Sequence, residues 1–406
     1  MDDERCVLLG ASWPGAGTWS LDDDLVELAE LARAAGAEVC ATVVQERNRP
    51  HPATLVGSGK VAEAAEVASA ASATTLISNR DLSPRQLRNL ADATKLKVID
   101  RTQLILDIFA SRARTREAQL QVELAQLTYL LPRLVGARAN LSRTGGGIGT
   151  RGPGETQLEV DRRRLRLRLG RLQHDIEAVR SDRQTQRGAR QGLPSAVLVG
   201  YTNAGKSTLM NALTGADVLA KDALFATLDP TARLLKIPDA GEVILSDTVG
   251  FVHDLPHQLV AAFRATLEEV TLADVLVHVV DAASPRMQEQ IEAVEAVLRE
   301  LGAGEQPRIT VMNKCDLAPG GEGLRVSART GQGLDDLRAA IAGALGRGHV
   351  RVHVVLPYGP LLDLVHRRGR VLSERYVEAG VELEVECPPT LAARLERAAG
   401  SHPTDR

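Results

Sequence analysis

The fold of this 406-residue chain is decided by the stretch Gly200-Tyr-Thr-Asn-Ala-Gly-Lys-Ser207. It follows the apolar run Ala196-Val-Leu-Val199 and precedes the helix-like segment Thr208-Leu-Met-Asn-Ala-Leu213. A glycine-rich loop between a strand and a helix directs backbone N–H groups and the helix dipole at one anion. In such a loop Lys206 reaches the β- and γ-phosphates and the Ser207 hydroxyl ligates Mg²⁺. The pattern predicts a nucleotide-phosphate site, against the alternative of a glycine-rich turn that binds nothing.

Three further motifs follow in the order of a guanine-nucleotide domain, which we place at residues 193–348. One strand ends in Asp247-Thr-Val-Gly250, whose carboxylate is expected to hold Mg²⁺ through water and whose last N–H senses the γ-phosphate. Another ends in Asn313-Lys-Cys-Asp316, whose last carboxylate accepts from guanine N1 and N2 together, which adenine cannot offer. Val326-Ser-Ala328 is the second guanine-side loop. Together these motifs predict a GTP-binding domain with a Ras-like doubly wound sheet.

Catalysis has fewer markers in the sequence. The segment Leu224-Phe-Ala-Thr-Leu-Asp-Pro230 carries Thr227, the expected second hydroxyl ligand of Mg²⁺. Many small GTPases place a Gln after DxxG to orient the attacking water, whereas this chain has Phe251, which cannot hydrogen-bond water. Either another group or ion supplies that function, or hydrolysis is slow until a partner acts. Asn203 could ligate K⁺ in place of an arginine finger, with turn chemistry alone as its alternative role.

Composition places the chain among ordinary globular proteins. Hydrophobic residues make up 44% and charged residues 25% of the sequence, and the length suggests roughly two to four domains. The acidic start has no apolar core of a signal peptide, and no run approaches the ~18 apolar residues of a membrane span. Cys6, Cys40, Cys315 and Cys387 show neither metal spacing nor a disulfide framework. We therefore expect a reduced, cytoplasmic protein.

The net charge of −3 conceals a strongly basic segment. Residues 111–190 contain 17 Arg, no Lys and 8 Asp plus Glu, a balance of +9 that leaves −12 for the rest of the chain. A concentrated basic segment on an acidic body indicates a nucleic-acid contact at one place. The use of arginine also favours forked contacts to phosphate.

Residues 1–110 alternate between strand-like and helix-like segments, which favours a parallel α/β domain. The helical spacing of Leu25, Leu28 and Leu31 predicts a helix that stops at Gly36. Apolar runs predict strands at residues 6–10, 39–44, 74–78 and 97–100. The stretch Val56-Gly-Ser-Gly-Lys60 enters a helix and is a weak candidate for binding a nucleotide or RNA phosphate, with a plain glycine turn as the alternative.

Residues 111–192 are predicted to form an antiparallel helical hairpin, called the arm below. Leucines recur at helical spacing from Leu120 to Leu134 and again from Leu165 onward, and Pro132 should kink or end the first helix. The tip at residues 142–155 holds six glycines and should be mobile and exposed.

The arm also carries the candidate RNA contacts, which are Arg143, Arg151, Arg162, Arg163 and Arg164. A cationic tip on a stiff stalk suits structured RNA, which is recognised by its shape, loops and backbone. The alternative is a solvated linker beside a solvated, charged helix.

After residue 348 the sequence predicts a small α+β domain at residues 349–400 and a loose tail at 401–406. A helix around Leu361 to Val365 precedes a hairpin that pairs 371–377 with 381–387, and a helix at 390–399 follows. No residue pattern in this domain indicates chemistry, so packing is its expected role.

Several of these motifs together resemble the HflX family of ribosome-associated GTPases. They are GYTNAGKST, LFATLDPTAR, DTVGFV, NKCD and the upstream GGGIGTRGPGETQLEVDRRRL, and the resemblance covers residues 56–328. It implies an N-terminal α/β domain whose coiled-coil arm docks on the large ribosomal subunit near the peptidyl-transferase centre. It further implies GTP-dependent splitting or rescue of stalled ribosomes, especially in heat stress. ATP handling by the N-terminal domain is also implied, with GSGK as its local support.

The candidate site residues are assigned from the motifs and from this resemblance. Ser207, Thr227 and Asp247 are assigned to Mg²⁺, and Lys206, Thr227, Gly250 and Asn203 to catalysis. The residues assigned to GTP or GDP are Gly200, Tyr201, Thr202, Asn203, Ala204, Gly205, Lys206, Ser207, Phe225, Ala226, Thr227, Leu228, Asp229, Asp247, Thr248, Val249, Gly250, Asn313, Lys314, Cys315, Asp316, Ser327, Ala328 and Arg329.

Three hypotheses remain open at this level. The chain is a GTPase that acts mechanically on ribosomes, a GTP-gated factor for subunit assembly or RNA modification, or an RNA-binding scaffold with a vestigial GTPase. Intact Lys206, Thr227 and Asp247 count against the third. We expect a monomer in the cytoplasm that contacts large-subunit rRNA, with peripheral membrane association left open.

Overall fold

The structure is a computed structural model of the full chain. It describes residues 4–15, 19–136, 157–188, 193–215, 224–225, 227–229, 231–237, 241–253, 269–318, 323–347, 350–357, 359–377, 380–387 and 389–399. The glycine-rich tip with Arg143 and Arg151, the residue Ala226 and the tail 401–406 lie outside the described residues. The fold confirms the predicted α/β class, while the domain boundaries proposed from the sequence stay predictions.

The chain falls into two compact units that do not follow the chain order. The first unit comprises residues 1–182 together with 221–229 and 252–266. The second comprises residues 183–220, 230–251 and 267–406. Two segments of the predicted GTPase domain, one on each side of the DxxG strand, therefore belong to the first unit.

The first unit is built on a four-stranded parallel sheet in the order β2-β1-β3-β4. Its strands are β1 (Glu4–Ser12), β2 (Ala37–Glu46), β3 (Thr75–Ser78) and β4 (Lys97–Asp100). Its helices are α1 (Leu21–Ala34), α2 (Ser58–Ala70), α3 (Pro84–Thr94) and α4 (Arg101–Arg112). The predicted parallel sheet is present, and each predicted strand is found within three residues of its expected ends. The helix α4 was not predicted from the sequence.

Local sequence explains where these helices begin. The Ser20 side chain accepts from the N–H of Asp23 and starts α1, and Ser83 forms a capping box with Gln86 at the start of α3. Asp100 ends β4 and caps α4 by accepting from the N–H of Gln103 at 2.9 Å. Gly57 is the N-cap of α2, and its N–H donates to Gln45 Oε1 at 2.7 Å.

The arm begins with α5 (Arg116–Gly136) and continues with α6 (Gln157–Gly188). Pro132 does not end α5, which runs on for another turn, and the Arg133 guanidinium donates to the Tyr129 carbonyl at 3.0 Å. That contact satisfies a backbone acceptor next to the one that proline cannot bond. Arg168 of α6 forms a two-pronged ion pair with Glu123 of α5 at 2.7 and 2.8 Å. This pair places the two predicted arm helices side by side.

The second unit contains a six-stranded sheet in the order β10-β9-β8-β5-β7-β6, parallel except for β6. The strands are β5 (Ser195–Gly200), β6 (Thr231–Ile237), β7 (Gly241–Asp247), β8 (Val275–Asp281), β9 (Arg308–Asn313) and β10 (Leu324–Arg325). The helices are α7 (Lys206–Thr214), α8 (Met287–Glu300) and α9 (Leu334–Arg347). The strands β5 and β8 are nearly continuous apolar runs, as expected of strands buried on both faces.

The same unit ends in a three-stranded antiparallel sheet in the order β11-β13-β12. Its elements are β11 (Val350–Leu356), α10 (Pro360–Arg368), β12 (Arg370–Val377), β13 (Gly380–Cys387) and α11 (Pro389–Ala399). One face of β13 is buried with the helices while the other carries Glu382, Glu384 and Glu386. The predicted hairpin and helices are present.

Among the helices of the described residues, none is both long and apolar enough to cross a membrane.

Candidate nucleotide-binding site

The phosphate loop lies between β5 and α7, at the carboxyl end of the parallel sheet. Gly200 and Gly205 both have positive φ, at 155° and 90°. A Cβ at Gly200 would collide with the Val279 carbonyl oxygen, and one at Gly205 would collide with Nδ2 of Asn313. Glycine is therefore required at both positions by backbone angle and by space. At these two positions the loop lies too close to Val279 and Asn313 for a side chain.

Lys206 is the first residue of α7 and is only 6% exposed. Its ammonium group donates to the carbonyls of Gly200 at 3.1 Å and Tyr201 at 2.8 Å. Burial lowers the pKa of Lys206 to about 8, and the nearby Asp247 carboxylate opposes that shift. A buried cation held against the loop is suited to stabilising phosphate charge, because in a low-dielectric site such charges interact strongly.

Two of the predicted Mg²⁺ ligands meet beside the loop. The Ser207 hydroxyl donates to Oδ2 of Asp247 at 2.6 Å, and Asp247 is buried at the end of β7. Thr248 holds the following backbone, because its hydroxyl donates to the Leu198 carbonyl at 2.7 Å. A hydroxyl and a carboxylate oxygen are the ligand types that Mg²⁺ accepts. The residues present therefore fit a magnesium ion.

Gly250 and Phe251 are joined to the loop by backbone contacts that the motif did not reveal. The Phe251 N–H donates to the Gly200 carbonyl at 3.1 Å, and the Thr202 N–H donates to the Phe251 carbonyl at 2.7 Å. A Cβ at Gly250 would lie 2.7 Å from Cα of Thr202 and 3.0 Å from Nζ of Lys206. The Phe251 ring is buried. The position where many small GTPases carry Gln is thus occupied here by a buried apolar side chain.

Asn313 connects the guanine-side loops to the phosphate loop. Its Nδ2 donates to the Ala204 carbonyl at 2.8 Å, and its Oδ1 accepts from the Ala328 N–H at 3.0 Å. The loops that carry Asp316 and Ser327 are joined directly as well, since the Cys315 N–H donates to the Val326 carbonyl at 3.1 Å. One buried amide thus fixes three of the predicted motifs relative to one another.

The remaining guanine-side residues are placed as follows. Ser327 is buried, and its Oγ accepts from the Thr330 N–H at 3.1 Å, while Asp316 and Arg329 are exposed. Lys314 forms an ion pair with Asp281 at 2.7 Å. Sequence reasoning missed Asp281, although an acidic residue directly after the apolar run of β8 was an available signal. The pair orients the Lys314 stem, which is predicted to cover the base.

The predicted nucleotide ligands between Phe225 and Asp229 belong to the first unit. Phe225 and Leu228 are buried, whereas Thr227 and Asp229 are half-buried. The Asp229 carboxylate accepts from the backbone N–H of Arg114 at 3.0 Å. The roles of these residues at the nucleotide stay predictions.

Of the candidate RNA contacts, Arg162, Arg163 and Arg164 lie on α6, with Arg163 and Arg164 exposed and Arg162 half-buried. Contact of these arginines with RNA likewise stays a prediction.

A test separates the two roles of Asn203, which is exposed and has a φ of 60°. If its side chain ligates K⁺, GTP turnover in K⁺ should exceed turnover in Na⁺ by about tenfold or more, because a cation near the phosphates replaces an arginine finger. Asn203→Ala should then abolish the difference. Asn203→Gly is the matched control, because glycine keeps the left-handed backbone and still removes the ligand. Equal rates in both salts for the wild-type protein would leave Asn203 a turn residue.

Comparison with known proteins gives three family-model matches along the chain. The description "GTP-binding GTPase N-terminal" covers residues 22–110, and "GTP-binding GTPase Middle Region" covers 112–190. The description "50S ribosome-binding GTPase" covers residues 195–314. The three matches follow one another along the first three quarters of the sequence.

Whole-chain relatives carry the name GTPase HflX. The protein from Caldanaerobacter subterraneus subsp. tengcongensis is 49% identical over 403 residues, covering 97% of this chain and 93% of its own length. The protein from Escherichia coli (strain K12) is 47% identical over 376 residues, covering 89% of this chain and 86% of its own. Among solved structures, a complex of SsGBP with GDP is 25% identical with a TM-score of 0.48, covering 85% of this chain and 99% of that one.

Proposed function

The chain belongs to the HflX family of GTPases, and from this premise we propose that it binds the large ribosomal subunit and uses GTP to split or rescue stalled ribosomes under stress. The observation that carries the proposal is the combination of a GTP site with a basic arm. The arm segment 111–190 has a balance of +9, and its helix α6 exposes Arg163 and Arg164. Such a charge density favours contact with phosphate backbones. The family description that names 50S ribosome binding supports the same partner.

We propose that Mg²⁺ is held by the Ser207 hydroxyl, the Thr227 hydroxyl and, through water, Asp247. Bound there, the ion would neutralise charge on the β- and γ-phosphates. Lys206 would hold the same phosphates from the start of α7, where the helix dipole adds to its charge. Asp316 would select guanine by accepting from N1 and N2.

Because Phe251 is buried and apolar, the chain itself has no Gln at the usual place to orient the attacking water. We therefore propose a low basal rate that rises when the large subunit binds. Binding would order the segment around Thr227, which is a known route from a partner to a GTP site. Since coupling is reciprocal, GTP should tighten ribosome binding by the same factor.

The arm is tested by reversing charge at two of its described arginines. The double variant Arg163→Glu and Arg164→Glu should lower the affinity for large subunits by roughly tenfold to a hundredfold, since two attractive phosphate contacts become repulsive. The salt dependence of binding should also become weaker, while GTP affinity without ribosomes should stay unchanged. The quantities to measure are co-sedimentation with large subunits and stimulation of GTP turnover by them.

The control is the double variant Arg370→Glu and Arg375→Glu, which reverses two exposed arginines on β12, outside the arm. It should bind large subunits as the wild type does. If the arm variant is stimulated by large subunits to the full extent, the arm is not the ribosome-binding element.

A further inference from the structure

We propose that Asp229 and Thr115 form a positioning pair that holds the first switch segment, residues 224–229, on the start of α5. The pair would make the position of Thr227 in the GTP-bound state depend on the start of α5 in the first unit. Asp229 lies two residues after Thr227, and Thr115 lies at the start of the first arm helix. Both belong to the first unit. The proposal rests on the GTP switch alone and does not require ribosome binding.

The contacts at the start of α5 are those of a helix cap. The Asp229 carboxylate accepts from the N–H of Arg114 at 3.0 Å, from the N–H of Thr115 at 3.3 Å, and from the Thr115 hydroxyl. Oγ of Thr115 in turn accepts from the N–H of Ala118 at 3.2 Å. The first N–H groups of a helix have no partner within it, and the helix dipole favours an anion there. The switch segment therefore supplies the negative charge that the start of α5 needs.

An apolar contact holds the other end of the same segment. Phe225 is 2% exposed, and its ring packs edge-to-face on Phe109 of α4, with ring centroids 4.6 Å apart and an interplanar angle of 85°. Phe109 is also 2% exposed. Edge-to-face pairs are a favoured aromatic geometry. In the chain, Thr227 thus lies between Phe225, which packs on α4, and Asp229, which binds the start of α5 of the same unit.

His253 belongs to the same unit and is held there by two contacts. The His253 ring stacks on Trp19 with centroids 4.4 Å apart, and the His253 carbonyl accepts from Arg101 at 2.9 Å. Arg101 is itself fixed by ion pairs with Asp24 and Glu27, both at 3.1 Å. His253 follows the DTVGFV motif directly. His253, Phe225 and Asp229 therefore all make specific contacts within the first unit, which favours a structural role for the contact at Asp229 over an accidental one.

The helix α5 holds this pair in a fixed position, because its later turns are bonded to the end of β4. The Tyr129 hydroxyl donates to Oδ1 of Asp100 at 2.5 Å, and Arg133 forms an ion pair with Oδ2 of the same carboxylate at 3.0 Å. Asp100 is fully buried at the end of β4. When GTP fixes Thr227, Asp229 is fixed with it, so capping of α5 and GTP binding should favour the same state. Reciprocity then requires that loss of the cap weakens GTP binding more than GDP binding.

The test is the ratio of affinities for a non-hydrolysable GTP analogue and for GDP, measured on the full chain without ribosomes. Thr115→Val should lower this ratio by about threefold to tenfold, the range expected for loss of a capping hydroxyl. Thr115→Ser, which keeps the hydroxyl, should restore the wild-type ratio. Thr128→Val is the matched control, because Thr128 lies on the same helix and its hydroxyl donates only to the Leu124 carbonyl among its described hydrogen bonds. A general loss of stability would weaken both nucleotides alike and leave the ratio unchanged.

Hydrogen exchange provides a second measurement on the wild-type protein. Amide exchange in residues 114–119 should be slower with the GTP analogue than with GDP, because ordered Asp229 protects the start of α5. Equal exchange in the two states, together with an unchanged affinity ratio in Thr115→Val, would overturn the proposal. Both measurements omit ribosomes, so this result would leave the ribosome-binding proposal standing, and failure to bind ribosomes would leave the positioning pair standing.

Discussion

The variant Asp316→Asn should reverse the nucleotide preference of the protein, from GTP to xanthosine triphosphate, by about a hundredfold or more in the ratio of dissociation constants. The Asp316 carboxylate is expected to accept from guanine N1 and N2. An asparagine at this position offers N–H where guanine also offers N–H, and one strong contact becomes a clash of two donors. Xanthine replaces the N2 amine by a carbonyl oxygen, which the asparagine amide can bond. The dissociation constants of both nucleotides for both proteins provide the measurement.

The structure makes this change a local one. Asp316 is exposed, and the residue before it is held by the bond from the Cys315 N–H to the Val326 carbonyl at 3.1 Å. The loop should therefore keep its path when the carboxylate becomes an amide. Asp336→Asn, at an exposed position of α9, is the matched control and should leave both dissociation constants unchanged. Retention of full GTP affinity by Asp316→Asn would mean that this loop does not read the base.

The variant Lys206→Ala should reduce GTP turnover by about a thousandfold, the size of effect expected when a preorganised charge at the transferred phosphoryl group is lost. The lysine is only 6% exposed and lies against the carbonyls of Gly200 and Tyr201. Alanine leaves no cation at that buried position, so the loss should persist at saturating GTP. Single-turnover rates at several GTP concentrations separate the loss of binding from the loss of the chemical step.

Two controls accompany this prediction. Lys236→Ala removes an exposed lysine from β6 and should turn over GTP at the wild-type rate. Thermal unfolding of the nucleotide-free proteins should show that Lys206→Ala is folded, since removing a buried cation relieves a desolvation cost. Wild-type turnover in Lys206→Ala would show that this loop is not the catalytic phosphate site.

The N-terminal sheet could be predicted because each strand is a short apolar run bounded by helical periodicity. The helix α4 was missed for a physical reason. Its residues Leu104, Ile105, Leu106, Ile108 and Phe109 are all buried, so the exposed face is reduced to a narrow strip that includes Asp107 and Ser111, and the apolar residues form a nearly continuous run. Similarly, Pro132 was expected to kink or end α5, yet the helix continues to Gly136, and Arg133 bonds the Tyr129 carbonyl of its own helix and pairs with Asp100 of β4.

The phosphate loop and the guanine motifs could be predicted because each consists of a few consecutive residues with a characteristic pattern. The burial of Phe251 and its backbone bonds to the loop could not, since strand pairing depends on the register of distant segments. The contact between Asp229 and Thr115 joins residues 114 positions apart. Local sequence contains no signal for such a contact, because an Asp in a loop and a Thr before a helix are each common. The contact is visible only in the folded structure, where residue 229 lies beside the start of α5.

The most direct test of the proposed function is the affinity of the wild-type protein for purified, mature large ribosomal subunits in different nucleotide states. We predict that the affinity, measured by co-sedimentation, is about tenfold higher or more with a non-hydrolysable GTP analogue than with GDP. Coupling of this size is typical of two-state switches. These subunits should also raise the GTP turnover rate of the same protein preparation. Equal affinity in the two nucleotide states, or binding to immature subunits only, would contradict the account.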